Sequence, residues 1–100
     1  MLGIDMISVS RFRDSSRLDR FVDRFGVDGS SPESVAKTWA CLEAIVKAED
    51  QAFEPDRIRI KFPQGQRPCV EDPDSVLSGS YILSVSHEKD FVIAVAQRCN

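Results

Sequence analysis

Four side chains in this sequence could do chemistry together: Asp5, Glu43, Lys47 and His87. Two carboxylates from different elements suit a hard divalent cation, because magnesium takes one or two carboxylates and keeps several waters for exchange with phosphate oxygens. A lysine and a histidine can handle a phosphate and a proton. Glu43 and Lys47 are four apart, so a helix would set them on one face with Trp39 one turn earlier. Each group also has a plainer reading. Glu43 and Lys47 could be a solvated ion pair, Asp5 a strand-end residue capping a turn, and His87 an exposed residue near a turn.

The elements that must position them follow from periodicity. Leu2 to Val9 is short, apolar and branched, and reads as a strand with Asp5 inside it. Leu18, Phe21, Val22 and Phe25 fall on one face of a helix spanning Arg11 to Phe25, with Gly26 as its stop. Ser31 before Pro32 starts a second helix that runs to about Glu49, with Val35, Trp39, Leu42, Ile45 and Val46 as its buried stripe. Arg57 to Phe62 alternates as a strand, and Pro63 to Pro68 is a turn. Cys69-Val70 begins a short strand, Glu71 to Pro73 a loop and Asp74 to Leu77 a helical turn. Tyr81 to Ser86 and Phe91 to Ala96 are strands joined by a hairpin turn over His87 to Asp90. This order predicts an α+β fold, one small domain over residues 1–100, with an antiparallel sheet and a long helix packed on it.

Composition narrows the class. An apolar content of 42% supports a packed core, and a chain of 100 residues gains from oligomerisation. The net charge of -3 argues against a general nucleic-acid binder. No apolar run has the length of a membrane span, and no signal-peptide layout opens the chain. Cys41, Cys69 and Cys99 have neither metal nor redox spacing, which points to a reducing cytoplasm. Arg11, Arg13, Arg17, Arg20 and Arg24 crowd the first helical region among Asp14, Asp19 and Asp23. Such a helix is either a solvated, salt-bridged face or a docking surface for an acidic partner.

Gly3-Ile4-Asp5, then Trp39-Ala40-Cys41-Leu42-Glu43-Ala44-Ile45-Val46-Lys47, then Ser84-Val85-Ser86-His87-Glu88 and Ile93-Ala94-Val95-Ala96 stand in order along the chain. The combination resembles the 4'-phosphopantetheinyl transferases, in their small holo-acyl-carrier-protein synthase branch. Gly65-Gln66-Arg67-Pro68 resembles that branch's Gly-Lys-Pro turn with one extra residue. The resemblance implies Mg²⁺ on Asp5 and Glu43, and coenzyme A held by Lys47, His87, Ser86, Arg67 and Pro68. It makes Lys47, Glu43 and His87 the catalytic groups. An acyl or peptidyl carrier protein would dock on Arg11, Arg13 and Arg17, and the assembly would be a homotrimer with sites between subunits. Three features depart from the pattern: Leu42 where the family has lysine, Thr38 where the branch has arginine, and an acidic, glycine-free stretch from Glu49 to Asp56. These departures support a second reading, a relative that docks a carrier domain or builds an oligomer without efficient turnover.

Overall fold

The computed structural model describes residues 1–27 and 29–99, with Ser15 as backbone only. Strand β1 (Leu2–Ser8) leads through a 3₁₀ turn at Val9–Phe12 into helix α1 (Ser15–Phe25), then helix α2 (Pro32–Ala48). After a 3₁₀ turn at Pro55–Arg57 come β2 (Arg59–Lys61), β3 (Cys69–Glu71), β4 (Ser80–Glu88) and β5 (Phe91–Cys99). β1, β5 and β4 form an antiparallel sheet in that order, and β2 pairs with β3 in a separate antiparallel ribbon.

Local chemistry fixes the helix ends. The Asp14 carboxylate accepts from the N–H groups of Ser16 and Arg17, so α1 starts there and not at Arg11. Gly26, at φ 57°, closes α1 in the left-handed conformation that glycine tolerates. Ser31 Oγ accepts from Ser34 N and Pro32 occupies the first turn of α2, as the sequence predicts.

The core lies between α2 and one face of the three-stranded sheet. Ala36, Ala40, Ala44 and Ala48 recur every four residues and are all buried. Facing them, Gly3 and Ile7 of β1, Val92, Ala94 and Ala96 of β5 and Leu83 of β4 are buried too. Small side chains on both layers bring the helix axis close to the sheet. A Cβ on Gly3 would overlap the Ala44 carbonyl oxygen and lie 2.9 Å from Ala48 N. Cys41 is buried in this core, and burial pushes its thiol up to about 12.

Four expectations need correction. Val46 is exposed: it lies two turns along the stripe from Trp39, past the part that the rings of Phe12 and Phe21 cover. Glu71 belongs to β3. Residues 74–77 form no helical turn, since the Asp72 carboxylate takes the N–H groups of Val76 and Leu77 and organises a bend. His87 and Glu88 lie in β4, and the hairpin turn is only Lys89-Asp90, with Lys89 at φ 54°.

Gly3→Ala should lower stability by about 2–4 kcal/mol, because the obstacle is backbone. Urea unfolding at fixed protein concentration checks this, and an unchanged midpoint would show that the β1–α2 joint yields.

Candidate active site

Asp5 faces α2 from β1, between Gly3 and Ile7. Lys47, in the last turn of α2, donates to Asp5 Oδ1 at 2.9 Å and to the Ile4 carbonyl at 3.1 Å. Its side chain is half exposed, whereas that of Asp5 is only 14% exposed. The hydrogen bond and charge of Asp5 raise the Lys47 pKa, and the charge of Glu43 adds to it. One ammonium therefore senses both carboxylates. That is the arrangement a cation site needs, and the donors are hard oxygens on two elements joined by a tight contact. The residues fit a divalent ion that completes its shell with water and phosphate oxygens. No group of three or more potential metal ligands occurs among the described residues.

His87 does not join this cluster within one chain. Its Nε2 lies 3.0 Å from the Lys89 carbonyl, and its Nδ1 lies 3.8 Å from a carboxylate oxygen of Glu33. Glu33 is in the first turn of α2 and Lys47 in the last. Fourteen residues of helix separate them, about 21 Å at 1.5 Å per residue. The turn at residues 65–68 is elsewhere again. Gly65, Gln66, Arg67 and Pro68 line an open groove of about 450 Å³ whose other wall is Ser84 and Val85 of β4. Ser86 is exposed on the sheet face away from α2 and is not part of that wall.

The departures from the motif have structural explanations. Leu42 is 3% exposed and belongs to the core, and Thr38 is buried with its hydroxyl donating to the Ser34 carbonyl. The acidic stretch is largely occupied. The Glu49 carboxylate accepts from Ser78 N and from the Tyr81 hydroxyl, and Asp50 pairs with Arg98 at 2.8 Å. Burial alone would push the Glu49 carboxyl up; its donors, led by Ser78 and Tyr81, outweigh that and hold it below the usual range. The Asp50–Arg98 pair carries no net charge and so repels an incoming phosphate less than a free carboxylate would.

The arginine face differs from expectation in membership. Arg11 and Arg17 line a cavity of about 330 Å³, but so do Arg20 and Arg24, around a floor of Phe12, Phe21, Phe25 and Trp39. Arg13 is instead paired with Asp90 at 3.5 Å. The spacing of Arg17, Arg20 and Arg24, three and four apart, carried the signal that all three share one helix face. Arg24 also lies over the Phe25 ring, 5.1 Å from its centroid.

The far face of the sheet has no cover among the described residues. Leu2, Ile4 and Met6 of β1, Phe91 and Ile93 of β5 and Ile82 of β4 are all exposed, Ile4 at 53% and Met6 at 62%. The register sets Ile93 beside Met6, so the apolar residues adjoin. No helix among the described residues is long and apolar enough to cross a membrane.

No family model matches the chain. It is 31% identical over 102 residues to a holo-acyl-carrier-protein synthase of Mycoplasma mobile, covering 94% of this chain and 84% of that protein. A synthase of the same name from Mycoplasma mycoides is 34% identical over 64 residues, a match that spans 54% of that protein. The fold is similar to the holo-acyl-carrier-protein synthase of Helicobacter pylori solved with coenzyme A, at a TM-score of 0.80 and 24% identity over 99% of this chain and all of that one. The Bacillus anthracis synthase, solved with coenzyme A (3',5'-ADP), aligns at a TM-score of 0.66 and 28% identity over 95% of this chain and 91% of that one.

Tyr81 is the only tyrosine, and burial first, then the Glu49 carboxylate, push its phenol up to about 12. At about pH 10.5, where an ordinary phenol is mostly ionised, its phenolate absorbance should be nearly absent in the folded protein. Glu49→Gln should raise it. Equal phenolate in both proteins would mean that Glu49 does not engage the hydroxyl.

Proposed function

This chain belongs to the holo-acyl-carrier-protein synthase family of phosphopantetheinyl transferases, and we propose that it moves 4'-phosphopantetheine from coenzyme A to a serine of an acyl or peptidyl carrier protein, with magnesium. The observation that carries this reading is the Lys47 ammonium paired with Asp5, one helical turn from Glu43, all three at the positions where the family motif puts its metal carboxylates and lysine. The serine oxygen forms a bond to the β-phosphorus of coenzyme A, the bond from that phosphorus to the bridging oxygen breaks, and 3',5'-ADP leaves. Magnesium, when bound by Asp5 and Glu43, supplies neutralisation of charge on the diphosphate. Lys47 is held protonated by its carboxylates and so serves the phosphates as a cation. Glu43, which has no hydrogen-bond partner among the described residues, accepts the serine proton.

Donor and acceptor have separate surfaces in this reading. Coenzyme A lies along the groove of Gly65, Arg67, Pro68 and Ser84, with His87 supplied at its phosphate end. The carrier protein docks on α1, where Arg11, Arg17 and Arg20 face outward around an aromatic floor and can meet carboxylates, while Arg24 is already paired with Asp56 at 3.4 Å. His87 and Lys47 lie at opposite ends of α2, so one chain does not assemble the full site. The uncovered apolar sheet face supports a homotrimer that brings His87 of one protomer toward Asp5 of the next. The three free cysteines suit a reducing cytoplasm. The carrier could serve fatty-acid, polyketide or peptide assembly.

Intact-mass analysis of apo carrier proteins after incubation with this protein, coenzyme A and Mg²⁺ tests the proposal. We expect a gain of one phosphopantetheine on the carrier serine, lost with EDTA and reduced about a hundredfold or more by Glu43→Gln. Absence of any gain with the oligomer intact would favour the reading as a non-catalytic docking module. Sedimentation should show a trimer that Ile4→Glu dissociates, with loss of transfer. A monomeric wild-type protein with full activity would refute the shared-site reading.

A further inference from the structure

We propose that Lys47 is the resident counter-cation of Asp5 in the metal-free protein, and that a divalent ion takes over this role and thereby frees Lys47 for the substrate phosphates. The inference rests on the metal role proposed for Asp5 and Glu43, and adds how the site is kept before the metal arrives.

Asp5 is largely buried against the helix, and a carboxylate in that position is costly without a partner. Lys47 is the only cation paired with it among the described residues. It reaches Asp5 from the last turn of α2, and its second hydrogen bond, to the Ile4 carbonyl, holds the ammonium over β1. The Asp5 carboxylate oxygen it occupies is the one a metal held by Asp5 and Glu43 would need. Two cations cannot share it, since a divalent ion and an ammonium at contact distance repel strongly in a partly buried site. Metal entry therefore requires Lys47 to swing away. The route is open, because the Lys47 side chain is half exposed and its long stem turns freely. Once released it remains one helical turn from Glu43, where a diphosphate on the metal would meet it. Metal binding and lysine delivery become one event. The lysine also keeps Asp5 neutralised between turnovers, so β1 and α2 need no metal to stay joined.

The test titrates Mn²⁺ alone into the full-length protein and its variants, read by the free-Mn²⁺ electron paramagnetic resonance signal. Lys47→Met keeps the stem and removes the charge. It should bind Mn²⁺ roughly three- to tenfold more tightly than wild type, about the factor carried by one ion pair of this kind. Lys47→Arg, which keeps a cation, should gain nothing. Asp5→Asn should lose the site. As a second readout on the unmutated chain, the Lys47 ammonium resonance in ¹⁵N NMR should be present without metal and shift or vanish on adding Mg²⁺. Equal or weaker Mn²⁺ binding by Lys47→Met while Asp5→Asn loses it would overturn the exchange and leave the metal site standing. So would a Lys47 resonance unmoved at saturating Mg²⁺. Asp5→Asn binding like wild type would remove the metal site itself, and the exchange with it.

Discussion

The structure depends on how closely β1 approaches α2. Glycine at position 3 and alanine at position 44 leave no room for another carbon between sheet and helix. That contact sets the height at which Asp5 emerges and the distance over which Lys47 must reach. A wider gap would separate the two layers, exposing Asp5 to water and placing the Lys47 ammonium beyond hydrogen-bonding range. The alanines at 36, 40 and 48 extend the same spacing along the helix, so the joint is rigid over its whole length.

The rest of the charge pattern is arranged around the C-terminal end of that helix. Glu49 and Asp50 follow α2 directly and tie it to the segment before β4, through Ser78 and Tyr81 on one side and Arg98 on the other. Gln51 adds a hydrogen bond to the Val76 carbonyl. These contacts hold the end of α2 that bears Lys47. The acidic stretch, which by sequence looks hostile to phosphate, thus does structural work with charges already committed to partners.

Where sequence reasoning succeeded, the signal was local. Capping by Ser31 and Pro32 and the four-residue spacing of Glu43 and Lys47 need only a short window. So does the alternation that marks β2. It failed where the deciding partner was remote. Val46 has the apolar character of a core residue, but no element among the described residues covers that part of the helix. Asp72 draws residues 74–77 into a bend by side-chain hydrogen bonds that no periodicity reports. The alanine column was missed because periodicity weights large apolar residues, and close packing uses small ones. The meeting of Asp5 and Lys47 was legible from the order of the motifs. The remoteness of His87 was not, since chain order says nothing about which end of a 17-residue helix a strand will meet.

Leu42 adjoins Glu43 and Thr38 lies five residues before it, both inside the core, and with these residues there the Asp5–Lys47 joint is in place. The groove at residues 65–68 and the arginine face of α1 hang on other elements. A scaffold divided in this way lets inheritance act on its parts at different speeds. Drift on those other elements leaves the strand–helix joint, which tolerates almost no added volume, as it is.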